Sequence, residues 1–256
     1  MSFSIAVAGK GGSGKTSTAS LIIRYLKNNG LTPILAVDAD GNANLGESLG
    51  LDLLDTIGSV LANFNEDKIK IPSGLTKGAY LEVKLNETIV ESTGLDLISM
   101  GRGEGSGCYC YPNTVLKKFI DELKGNYAYM VMDNEAGMEH LSRKTTEDID
   151  ELFIISDHSV KGVRTMARIR DLIADLKLAV KRQSVIINRV PGVLDTHIVQ
   201  ELDRLGIEPI ATIPLDEEVS RFDLEQRSLL ELPDTSSAVK VVARLMDGIL
   251  GRNSSA

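Results

Sequence analysis

Two cysteines in 256 residues, Cys108 and Cys110, are too few and too close together for the scattered disulfide framework of a small secreted protein. No apolar run approaches the roughly 20 residues that span a bilayer. The chain opens on Phe3-Ser-Ile-Ala-Val-Ala8, a strand-like run without a basic leader. A cytoplasmic protein without stable membrane binding is expected. Positive charge is not in excess: 28 Lys and Arg stand against 36 Asp and Glu, a net charge of −8. Such a field repels nucleic acid and anionic lipid, so a DNA-coating role is disfavoured. The sequence carries no internal repeat, linker or low-complexity segment. What is there, 43% hydrophobic and 25% charged, is ordinary for a globular protein. Residues 1–251 read as a single domain, with a frayed tail over 252–256.

Short apolar, β-branched runs alternate with helix-period stretches. The runs are Phe3 to Ala8, Pro33 to Asp38, Leu95 to Met100, Ala128 to Asp133, Leu152 to Ser156, Ser184 to Asn188 and Pro209 to Ile213. Continuous apolar strands are buried on both faces, which predicts an α/β fold with a mostly parallel central sheet covered by helices. Lys15 to Asn28 and Val160 to Leu178 carry apolar stripes at helical spacing, and Thr235 to Leu250 reads as a last amphipathic helix. Around Asn86, the alternation in Leu81-Glu-Val-Lys-Leu and Thr88-Ile-Val-Glu predicts a small hairpin over Leu81 to Glu91.

The most specific segment is Gly9-Lys-Gly-Gly-Ser-Gly-Lys-Thr16, which satisfies G-x-x-x-x-G-K-[ST] between a predicted strand and a predicted helix. A glycine-rich turn can wrap a phosphate with backbone amides, and the helix N-terminus adds partial positive charge. Gly11, Gly12, Ser13, Gly14, Lys15, Thr16 and Ser17 are therefore the candidate phosphate ligands of a P-loop NTPase. In that role Lys15 bridges the β- and γ-phosphates and the Thr16 hydroxyl ligates Mg²⁺. Acidic residues follow at strand ends, where ligands bind a parallel sheet: Asp38-Ala-Asp40 and Asp133. Asp133 is placed to hold a Mg²⁺ water, whereas Asp38 and Asp40 could equally cap the helix that begins near Leu45.

Cys108 and Cys110 lie between a predicted strand and a helix-period segment, in Gly101-Arg-Gly-Glu-Gly-Ser-Gly-Cys-Tyr-Cys-Tyr-Pro. Two thiols at i and i+2 can face one metal, but one chain then supplies only two of the four ligands that Zn²⁺ or Ni²⁺ wants. A second subunit could supply the other pair. Two buried free cysteines, a redox-active pair and a bridging iron-sulfur cluster remain open. His140 is a possible further ligand or a hydrogen-bonding residue, and His158 and His197 belong to no motif.

With Lys10 in its second position, the glycine-rich loop resembles the deviant Walker A loop of dimerising ATPases, the family of nitrogenase iron protein and the septum-site and plasmid-partition ATPases. The resemblance implies that Lys10 reaches the nucleotide of a partner subunit, a cation that meets transition-state charge only on closure. It implies that Asp40, in the first switch, orients and deprotonates the attacking water, and that Gly137 senses the γ-phosphate. Asn188, Arg189, Pro214 and Asp216 would border the adenine. ATP rather than GTP is expected, since Asn188-Arg-Val-Pro191 is not the guanine-reading Asn-Lys-x-Asp.

The cysteine segment and Asp133-Asn-Glu-Ala-Gly-Met-Glu-His-Leu-Ser-Arg143 resemble a narrower family, the CooC-type accessory ATPases that load nickel into carbon monoxide dehydrogenase. That likeness implies a homodimer using ATP/ADP and Mg²⁺, with Ni²⁺ or Zn²⁺ at the Cys-x-Cys pair and the dehydrogenase as client. An ATP-gated electron-transfer protein and a membrane-positioning ATPase are the competing readings. The second needs a C-terminal basic anchor, and Lys240, Arg244 and Arg252 are offset by Asp247 in a helix better explained as core.

Overall fold

The structure is a computed structural model that describes residues 2–67, 71–101, 118–134, 149–176 and 178–252. Its strands are β1 (Phe3–Gly9), β2 (Ile34–Ala39), β3 (Val90–Ser92), β4 (Leu95–Ser99), β5 (Tyr129–Asn134), β6 (Ile149–Asp157), β7 (Val180–Val190) and β8 (Ala211–Pro214). They form one sheet in the order β3-β4-β2-β5-β1-β6-β7-β8. Every pairing is parallel except that of β3 with β4.

Helices cover both faces because the central strands are apolar on both. On one side Ile5 and Val7 pack with α1 (Lys15–Asn28), α2 (Asn44–Leu49) and the last helix, through Ile22, Leu26, Leu45, Val242 and Met246. On the other, Ala6 and Ala8 lie in the core that α3 (Ile57–Asp67), α4 (Lys77–Asn86), α5 (Val160–Asp175) and α6 (Thr196–Leu205) help to close. Two further helices, α7 (Glu217–Leu224) and α8 (Ser237–Ile249), follow β8. The expected α/β architecture is therefore present; β1, β6 and β7 are longer than the apolar runs that announced them, and the other expected strands keep their length or lose a residue.

One expectation fails. Leu81 to Glu91 is not a hairpin: residues 77–86 are helical, with the Thr76 hydroxyl accepting from Ala79 N at 3.2 Å as an N-cap. A strand would have put Leu81, Val83 and Leu85 on one face. The helix instead buries Leu81 and Leu85, one turn apart, and leaves Val83 49% exposed. The hairpin lies later, where β3 turns through Gly94 into β4.

Candidate nucleotide site

β1 delivers the chain to the C-terminal edge of the sheet between β5 and β6, and five residues separate its end at Gly9 from the start of α1 at Lys15. A Cβ on Gly9 would collide with the Ile155 carbonyl of β6, so only glycine lets the loop leave the sheet here. The turn closes on itself: Ser13 N donates to Lys10 O at 3.2 Å and Ser13 Oγ to the same carbonyl at 2.8 Å. Gly14, at φ 88°, is the N-cap of α1 and takes no side-chain cap. The first amides of α1 thus face the loop, with the macrodipole behind them. Lys15 folds back over the turn, its Nζ 3.4 Å from Lys10 O, and is 7% exposed. Among the described residues nothing lies within 4 Å of a Cβ added at Gly11 or Gly12.

Beneath the loop stands a row of polar residues in register across three strands, Ser99 on β4, Asp38 on β2 and Asp133 on β5. Asp133 Oδ2 accepts from Thr16 Oγ1 at 2.5 Å, while Oδ1 is buried with no hydrogen-bond partner among the described residues. Burial pushes the Asp133 carboxyl up to about 7, against the Thr16 hydrogen bond and Lys15, while the negative charges of Asp38 and Asp40 push the same way as burial. A hydroxyl and an unsatisfied carboxylate oxygen side by side under a phosphate-binding turn fit Mg²⁺ and its water ligands. Asp38, fully buried, is likewise pushed up to about 6 by burial. Its two oxygens accept from Leu45 N at 2.8 Å and Asp40 N at 3.0 Å, so it fixes the turn into α2. Asp40 is half-buried at the rim; its Oδ1 takes Asn42 N and Nδ2 at 2.9 and 3.0 Å.

Lys10 is on the outside of the loop. Its Nζ lies 3.9 Å from Asp157 Oδ2, with the two side chains 44% and 31% exposed. Such a pair is loose and easily exchanged for a stronger anion. Asp157, anchored by the Ser159 hydroxyl at 2.6 Å, is a neighbour that the sequence pattern did not single out.

The ends of β7 and β8 border a cleft of about 360 Å³ beside α1, lined by Ser17, Leu21, Asn188, Arg189, Pro214 and Asp216 among others. The four residues assigned to the base side are thus brought together. Asp216, however, spends both oxygens on helix caps: Oδ1 accepts from Glu218 N at 2.9 Å, and Oδ2 from Ser236 Oγ, Ser237 Oγ and Ala238 N at 2.7 to 2.9 Å. Burial raises its carboxyl, but these bonds outweigh it and hold the group at about 2. Cys108, Cys110, Gly137 and His140 lie outside the described residues. Among the described residues no cluster of three or more His, Cys, Asp or Glu side chains could hold a metal ion.

A phosphate-wrapping loop between a central parallel strand and a helix, with a buried strand-end aspartate on the threonine that follows the lysine, defines a P-loop ATPase. Residues 4–229 match the model of the CobQ/CobB/MinD/ParA nucleotide binding domain, and the chain belongs to that family. It is 38% identical over 250 residues to an uncharacterized ATP-binding protein of Methanocaldococcus jannaschii, covering 97% of this chain and 98% of that one. Against the carbon monoxide dehydrogenase accessory protein CooC of Rhodospirillum rubrum the identity is 28% over 240 residues, 89% of each chain. The septum site-determining protein MinD of Pyrococcus horikoshii, solved with Mg-ADP, shares the fold at a TM-score of 0.71 and 19% identity, each chain covered completely. No helix of the described residues is long and apolar enough to cross a membrane.

Proposed function

We propose that this ATPase is a dimeric metallochaperone that assists nickel insertion into carbon monoxide dehydrogenase, with Ni²⁺ or Zn²⁺ shared by the Cys108 and Cys110 pairs of two subunits. Lys15, the loop amides and Ser17 bind the nucleotide phosphates. The Thr16 hydroxyl would ligate Mg²⁺, and Asp133 would hold one of its water ligands. Asp40 takes a proton from water as its oxygen bonds the γ-phosphorus and ADP leaves, and Lys10 of each subunit meets the phosphates bound by the other. Gly137 senses the γ-phosphate. Asn188, Arg189, Pro214 and Asp216 form the base side of the cleft, and the protein works in the cytoplasm.

The observation that carries the coupling of metal to nucleotide is the junction of β2 and β4. Met100 N donates to Asp38 O at 2.7 Å, so the chain leaves toward the cysteines from beside the strand that supplies the first switch. Gly101, in the left-handed region at φ 59°, is packed against Thr56, where any side chain would collide. In this reading, a displacement of Asp38 to Asp40 on nucleotide binding would be passed to the base of the cysteine segment. Both ligands then bias one element and must affect each other's affinity equally. The 28% identity to the CooC protein, together with the cysteine segment, supports the choice of client.

The test is metal affinity in the presence of ATP, ADP and no nucleotide, on protein purified without oxygen. A nucleotide-dependent change in Zn²⁺ or Ni²⁺ affinity supports the reading. Strong visible charge-transfer bands in the same preparation would replace it by an iron-sulfur electron-transfer protein.

A further inference from the structure

α2 is six residues long, too short to persist as an isolated helix, and its start carries no cap of its own: Ala43 stands in the N-cap position at φ 54° without a side-chain bond. Contacts from other elements hold it instead. Asp38 of β2 takes Leu45 N, Ser48 Oγ lies 2.8 Å from Ser20 Oγ of α1, and Ser228 Oγ donates to Leu49 O at 2.8 Å. The last of these satisfies one of the carbonyls that a helix end leaves open. Ser228 is itself fixed. Its hydroxyl accepts from Leu230 N at 3.2 Å, and the residue before it is tied down twice: Arg227 N donates to Phe222 O at 2.9 Å, and the guanidinium lies 4.0 Å from the centre of the buried Phe222 ring. Gly50, at φ 69°, lets the two segments meet, since a Cβ there would stand 2.9 Å from the Ser228 Cβ.

We infer that Ser228 is a positioning residue for Asp40, the far anchor of the helix that the first switch runs into. This rests on the reading of Asp40 as the group that takes a proton from the attacking water. Asp40 and α2 form one continuous piece. Ala43 N donates to Asp40 O at 3.1 Å, and Asp40 Oδ1 accepts from both nitrogens of Asn42, so the carboxylate is built into the turn that starts the helix. Asp38 anchors this piece at its near end, and one anchor is a pivot. Leu49 lies roughly 6 Å farther along the helix than Leu45, so a bond to its carbonyl removes the swing that the pivot allows. The aim of Asp40 is then set before water and γ-phosphate meet, and a small misplacement of a general base costs more in rate than in binding.

A positioning residue acts through the group it aims, whereas a merely structural one acts whether or not that group is present. The full chain, Ser228→Ala, Asp40→Asn and the double variant would be compared for turnover at saturating Mg-ATP and for Mg-ATP affinity by calorimetry. Thermal unfolding without ligand checks that the fold is kept. Loss of one hydrogen bond predicts turnover roughly 3- to 10-fold lower in Ser228→Ala, with affinity within about 2-fold of the parent's. In the Asp40→Asn background the same substitution should change the residual turnover by less than about 2-fold, because the group it aims is gone. Ser48→Ala, which frees the same helix from α1, should behave alike and carries the test if Ser228→Ala does not fold. Unchanged turnover in the folded variant, a loss of affinity as large as the loss of turnover, or an equal loss of turnover in both backgrounds overturns the inference. An Asp40→Asn protein that hydrolyses ATP like the parent would instead sink the water-activation reading, and the role of Ser228 with it.

Discussion

Replacing Asp133 by Asn keeps the shape of the side chain and an oxygen for the Thr16 hydroxyl, and removes only the charge. In the folded chain burial holds this carboxyl at about 7, far above its ordinary 3.8. Between those values the native state keeps a proton that the unfolded chain has lost. Stability therefore falls as pH rises through that window and stays low above it. From about pH 5 to about pH 8 the folded site gives up its proton over roughly two units, a loss of about 3 kcal/mol at 1.36 kcal/mol per unit. Asp38, pushed up to about 6, loses stability in the same direction, but does so in parent and variant alike. The difference between them isolates Asp133. At 2–4 °C per kcal/mol for a chain of this size, the parent should lose roughly 5–10 °C more in melting temperature than Asp133→Asn over that interval, measured by scanning calorimetry without nucleotide. The same variant should gain little stability from Mg-ATP, because the carboxylate that meets Mg²⁺ is gone. Equal pH dependence in the two proteins, or full stabilisation of the variant by Mg-ATP, would refute the assignment of a buried, cation-seeking carboxylate.

Four further variants separate the parts. Lys15→Ala should lower Mg-ATP affinity by at least about 10-fold, and unchanged turnover in a folded variant would remove the phosphate loop from the account. Asp40→Asn should bind ATP as the parent does while hydrolysis falls by roughly 10²-fold or more; retained hydrolysis would move water activation elsewhere. Lys10→Ala should bind nucleotide but sediment as a monomer with ATP, since the Asp157 contact it loses is a loose surface pair. Equal ATP-dependent association would reduce Lys10 to a solvated lysine. The Cys108→Ala, Cys110→Ala double variant should keep ATP binding and lose the shared metal, and normal nickel-dependent maturation of the client by it would detach the cysteines from the function.

The legible parts of this molecule were those written in local pattern. The glycine loop combines strand, turn and helix start within one short segment, so its chemistry and its place in the sheet come together. The continuous apolar runs gave the parallel sheet because a strand covered on both faces has no polar side to alternate. Leu81 to Leu85 misled for the converse reason: three apolar residues at alternate positions suit a strand, while two of them also suit one turn of helix, and the Thr76 cap decided the matter. Contacts across the chain left no local trace. The Asn188 amide meets Ser13 at a separation of 175 residues, and nothing near Asn188 announces that its donor is turned to a carbonyl of the loop. Asp216 stands at a strand end like a ligand, yet its oxygens cap two helices, one of them 20 residues farther on.

Metal content per sedimenting species, measured with ATP, with ADP and without nucleotide, tests the central claim most directly. The account predicts about one Zn²⁺ or Ni²⁺ per dimer, because four thiolates from two chains complete one coordination sphere, with an affinity that depends on the nucleotide. One metal on each monomer, or a content indifferent to both nucleotide and the loss of the cysteines, would contradict it.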